Sequence, residues 1–122
     1  MMEKEFNNHS TKLEKIVKTR RERVEELNGE IKELLRLKQE WRNKSKGIIL
    51  NTDFKALYKK DNEHIRNAHL QNEIPDLYDK IEIQEEVVNY IKADIAQIDK
   101  EISMHHRIMK FVTLVNDKNS SL

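Results

Sequence analysis

Between Leu70 and Val112 the apolar residues recur at alternating intervals of four and three. Leu70, Ile74, Leu77, Ile81, Val88, Ile91, Ile95, Ile98, Ile102, Met109 and Val112 follow this rhythm, and Gln84 and His105 are the two polar residues in it. Such spacing lines one narrow edge of a helix, and an edge that narrow is buried only against another helix. A second ladder lies nearer the N-terminus: Leu13, Val17, Arg20, Val24, Leu27, Ile31, Leu34, Lys38 and Trp41. Here Val17, Val24 and Ile31 take one seam position, and Leu13, Leu27 and Leu34 the other, a division that favours two-stranded parallel coiled coils. Arg20 and Lys38 interrupt this seam, although their apolar stems can lie along it while the charged ends reach water.

The ladders predict an all-α fold: long helices forming a coiled coil or helical hairpin, with two long helices flanking a shorter one. Residues 1–10 read as a flexible N-terminus. Thr11 and Glu14 match a capping box, so a coiled-coil helix is expected over 11–46, with Gly47 as its left-handed cap. A connector over 47–53 follows, in which Ile48, Ile49 and Leu50 would plug the end of a bundle and Asn51, Thr52 and Asp53 supply a new start signal. A short helix is expected over 54–71, with Phe54, Leu57, Tyr58, Ile65 and Ala68 as its apolar side and a break between Asn67 and Asn72. Pro75 fits the first turn of a helix, since its ring opposes the carbonyl one turn earlier in a helix interior. The long coiled-coil helix is expected over 75–115, and 116–122 reads as a flexible tail. Met104, Ile108, Phe111 and Val115 add a second stripe beside the main ladder.

Composition supports this picture. The 122 residues are 37% apolar and 37% charged, with two glycines and one proline, a profile of long helices in which stripes cover one side only. The absence of cysteine leaves no disulfide framework and suits a reducing compartment. No apolar run reaches the length of a membrane span, so no membrane insertion is expected. Met1 to Ser10 holds no apolar h-region, so secretion is not expected, and the sequons at Asn8, Asn43 and Asn119 read as idle matches.

The net charge of +1 conceals a polarity along the chain. Residues 1–46 hold 13 Lys and Arg against 9 Asp and Glu, whereas residues 71–100 hold 3 against 8. Either two solvated faces differ in composition, or opposite charges select which helices lie side by side.

No constellation of catalytic groups stands out, and a rod of paired helices rarely offers the dry pocket that catalysis needs. The expectation is a non-enzymatic protein without cofactor or metal. His105 and His106 are adjacent on a helix and point about 100° apart, a poor arrangement for one shared metal. His105 reads instead as a polar seam residue that fixes register or partner, as does Gln84, and its protonation below about pH 6.5 would loosen the pairing. Lys18, Arg20, Arg21 and Arg23 form the strongest nucleic-acid signal, with Lys18 and Arg21 sharing a face for weak phosphate contact or for solvation alone.

A partner interface is therefore expected on the seams. Its residues would be Leu13, Val17, Val24, Leu27, Ile31, Leu34, Trp41, Phe54, Leu57, Ile74, Leu77, Ile81, Val88, Ile91, Ile95, Ile98, Ile102, His105, Met109 and Val112. The occupant would be another coiled-coil subunit or a second copy in a homodimer.

At the junction around Phe54 the run Asp53-Phe54-Lys55-Ala56-Leu57-Tyr58-Lys59 resembles the aromatic-x-Ala-Leu-x-Lys element of the Tho complex subunit 7 family. Glu14-Lys15-Ile16 opens a helix as in that family, and His64 and Arg66 sit where it carries a His and Arg turn. The chain departs from the family pattern in having Ile65 where a proline usually stands beside the histidine, with Pro75 later. It also lacks much of the family's N-terminal helical region and acidic tail. The resemblance implies a nuclear, non-enzymatic subunit of the messenger-RNA packaging and export complex, pairing with a subunit 5-like partner. The alternative class is a cytoskeletal or vesicle-tethering coiled-coil subunit in the cytoplasm.

Overall fold

The computed structural model describes residues 2–120 and consists of four helices, with no strand among those residues. In order they are α1 (Met2–Leu50), α2 (Phe54–Tyr58), α3 (Glu63–Glu73) and α4 (Pro75–Ser120). The fold is all-α, with α1 and α4 packed against each other. By internal packing the chain divides into two units: Met1–Asn28 with Asn89–Leu122, and Gly29–Val88.

In the first unit, segments of α1 and α4 lie antiparallel. His9 meets His105, Arg20 meets Asp99 and Arg23 meets Asp94, so ascending α1 means descending α4. Ile91, Ile95, Ile98, His105 and Val112 are buried along this pair. Leu13, Val24, Leu27, Ile102 and Met109 are half-buried, and Val17 is exposed.

The second unit contains the later part of α1, both short helices and the start of α4. Glu30 pairs with Gln84 and Trp41 with Tyr78, again in antiparallel order. Its buried residues are Leu37, Ser45, Phe54, Leu70, Leu77 and Val88. Ile31, Leu34, Trp41, Ile74 and Ile81 are half-buried beside them.

Several expected boundaries are corrected. Helix α1 is already formed at residues 2–10, and the Thr11 hydroxyl donates to the Asn7 carbonyl 2.9 Å away, one turn back, instead of capping a new start. The His9–His105 contact ties this first stretch to α4, a tertiary anchor that local capping signals do not contain. Gly47 does not end α1, and no glycine has a positive φ. The helix runs on to Leu50 because its last carbonyls find donors: Asn51 Nδ2 reaches the Gly47 carbonyl at 2.9 Å and the Thr52 hydroxyl reaches that of Ile48 at 2.6 Å. Ile48 and Ile49 are thereby kept half-buried as helix residues and not as a connector.

The single helix expected over 54–71 is two. Asp53 caps α2 by accepting from the Ala56 amide at 3.1 Å, and Asn62 caps α3 by accepting from the Ile65 amide at 2.9 Å. Between them Lys59 takes a left-handed conformation with φ of 62° and closes α2. No break falls between Asn67 and Asn72. Helix α3 continues to Glu73 and its capping residue Ile74, and α4 opens at Pro75, whose missing amide proton costs nothing in a first turn. At the far end α4 reaches Ser120, so the tail expected from 116 is helical through that point; Ser121 and Leu122 lie outside the described residues.

Candidate interaction surfaces

The expected partner seam is largely occupied by the chain itself. Leu77, Val88, Ile91, Ile95, Ile98, His105 and Val112 are all less than a tenth exposed, and Phe54 is closed off as completely. In the first unit α1 lies along this edge of α4, so these residues present little surface to a second chain. Two buried positions on α1, Leu37 and Ser45, fall outside the ladder read from the sequence. The helical period of 3.6 lets a straight helix drift from a strict seven-residue repeat, and Leu37 turns inward where the ladder places Lys38.

Charge placement follows the polarity of the chain. Arg20 Nε lies 2.6 Å from Asp99 and Arg23 Nε 2.6 Å from Asp94, both in the first unit. In the second unit Lys38 stands 3.4 Å from Glu85. The basic α1 thus faces acidic residues of α4, and the two seam interruptions Arg20 and Lys38 serve as the cationic partners. The hydrogen bond that Arg20 donates to Asp99 is the main cause holding its guanidinium above its usual range, and those that Arg23 donates to Asp94 and Glu26 do the same for Arg23. Along the exposed side of α1, Arg36 holds the Glu33 carboxyl below its usual range. Two of the four cations in the strongest nucleic-acid signal are therefore engaged within the fold, while Lys18 and Arg21 remain exposed.

The polar seam residues are also satisfied internally. Gln84 Nε2 donates to the Glu30 carbonyl at 2.9 Å and to its carboxylate at 2.5 Å. The Nδ1 atoms of His9 and His105 are 2.8 Å apart, so one ring donates and the other accepts. Around the short helices, Phe54, Tyr58 and His69 form an aromatic cluster in which the Tyr58 hydroxyl lies 2.6 Å from His69 Nδ1. His64 and Arg66 do not join this cluster; Arg66 bonds Asp61 and the Asn62 carbonyl.

Among the described residues no group of three or more His, Asp or Glu side chains converges on a possible metal position. Nor is any helix long and apolar enough to cross a membrane. A groove of about 800 Å³ in the second unit, lined by Lys44, Ile48, Asp53, His69 and Glu73 among others, is wide open to solvent.

Apolar side chains do remain on the outside. In the second unit these include Leu35, Leu50, Leu57 and Ile83; in the first, Val17, Tyr90, Met104, Phe111 and Leu114. Of the expected interface residues, Val17 and Leu57 are the exposed ones. The sequence stripe on α4 contributes Met104 and Phe111 to this outer set, with Ile108 and Val115 half-buried beside it. Compared with protein-family models, curated proteins and solved structures, the chain matches none.

Proposed function

We propose that this chain is a non-enzymatic helical subunit of a multiprotein assembly, which offers partners the outer faces of helices already paired with each other. The observation that carries the reading is the set of large apolar residues left on those faces after the seam has been filled from within, Leu35, Ile83 and Tyr90 among them. Large apolar side chains left outside once the seam is filled are available to a partner helix. The assembly we favour is the nuclear messenger-RNA packaging and export complex, on the strength of the resemblance around Phe54 to the Tho complex subunit 7 family. Within it the occupant would be a helix of a subunit 5-like partner.

Purifying the tagged chain from its native cells with crosslinking tests this. Export-complex subunits crosslinked to the outer faces are the expected result, and recovery of only tubulin-associated or vesicle-associated proteins would overturn it. A second reading, a vesicle-tethering subunit, is favoured by one observation: the mixed cationic and apolar face near the end of α4.

A further inference from the structure

The outer face of α4 carries a row at intervals of four, three, four, three and four: Lys100, Met104, Arg107, Phe111, Leu114 and Lys118. All six are exposed, Met104 at 47%, Phe111 at 66% and Leu114 at 58%. The row lies opposite the edge that carries Ile98, His105 and Val112, which the fold buries. None of its three cations makes an ion pair among the described residues. No carboxylate stands on it. The helix holds no Asp or Glu from Ile102 to Asn116, and Asp117 lines a groove with Glu3 and Phe6.

The alternation decides what fits. A partner helix seated along this row would bury Arg107 between Met104, Phe111 and Leu114, and an unpaired charge in a seam is costly. A second copy seated on the same row would bring cation against cation. At an anionic lipid surface the same arrangement is favourable. The Phe, Leu and Met side chains enter the boundary between headgroups and acyl chains, while Lys and Arg reach along their own stems to the phosphates. Contact of this kind lies in the interface plane and needs no spanning helix.

We infer that the outer row of α4 from Lys100 to Lys118 is a docking surface for anionic phospholipid membranes. The inference supplies the contact that the tethering reading requires. It is tested on the isolated full chain, so its failure is distinguishable from that of the co-purification.

Flotation of the full chain with vesicles of phosphatidylcholine containing phosphatidylserine, against phosphatidylcholine alone, makes the measurement. Each cation near an anionic surface contributes about fivefold to binding, so the anionic vesicles should bind at least about tenfold tighter, with the difference shrinking in high salt. Arg107→Glu with Lys118→Glu should lose at least about tenfold while helicity by circular dichroism is unchanged. Phe111→Ser with Leu114→Ser should lose binding as well. Should charge reversal disturb folding, Lys100→Gln with Arg107→Gln and Lys118→Gln gives the same answer without introducing acid. Equal binding to both vesicle types, or charge variants that float like the parent, would overturn the inference. So would self-association in sedimentation that the Phe111→Ser and Leu114→Ser pair abolishes.

Discussion

His9 and His105, 96 positions apart in sequence, face each other through Nδ1 atoms 2.8 Å apart. The contact requires one ring to donate and the other to offer a lone pair. His9→Ala would leave the buried His105 ring without this partner, which should cost about 1 to 3 kcal/mol. Thermal melts check this, and a melting temperature equal to the parent's would show that the contact contributes nothing to stability.

Because α1 fills the seam of α4 within one chain, folding of the pair does not depend on association. The melting temperature should not vary when protein concentration is changed a hundredfold, since only linked association makes it do so. Ile95→Asp puts an unpaired carboxylate into the buried seam of the first unit, and should cost about 3 to 5 kcal/mol. The expected readout is a large drop in helicity and melting temperature of the chain alone. Retained melting behaviour would mean that Ile95 is not enclosed.

Gln84 sets register in the second unit through two acceptors on the same residue, Glu30. Replacing it with alanine should cost about 1 to 2 kcal/mol, as expected for hydrogen bonds of which one has a charged acceptor. A double-mutant cycle with Glu30→Ala should leave a coupling of at least about 0.5 kcal/mol. Additive losses would show that the amide is not engaged.

Two positions are open to improvement. Lys59 is the one non-glycine residue with positive φ among those described, and Lys59→Gly should stabilise by about 1 kcal/mol by relieving the steric cost of a left-handed backbone.

The Ser45 hydroxyl is buried and finds no hydrogen-bond partner among the described residues. Ser45→Ala should therefore raise stability by about 1 kcal/mol, since it removes an unsatisfied group and improves helix propensity. Urea melts check both substitutions, and a destabilised Ser45→Ala would reveal a hidden partner for the hydroxyl.

The ladder on α4 was legible because burial against one neighbour imposes a single repeat, and six of its rungs from Val88 to Val112 are buried. The α1 ladder was only partly legible. Its true inward positions drift, so that Leu37 and Ser45 are buried while Val17 is exposed. Helix ends were misplaced wherever a distant contact or a side-chain cap outweighed local preference. Gly47 is an example, because Asn51 and Thr52 take up the carbonyls that a left-handed glycine would otherwise have satisfied.

The spacing of apolar residues, a local property of the chain, was enough to determine that this protein is built from long helices whose edges demand cover, and the charge count that its N-terminal segment is basic and residues 71–100 acidic. Only the tertiary structure decided where the partner comes from. Periodicity records that an edge must be covered but not by which chain, whereas the pairing of His9 with His105 and of Arg23 with Asp94 shows α1 turned back along α4. That choice moved the available surface from the seam to the outer faces, where exposure cannot be read from spacing alone.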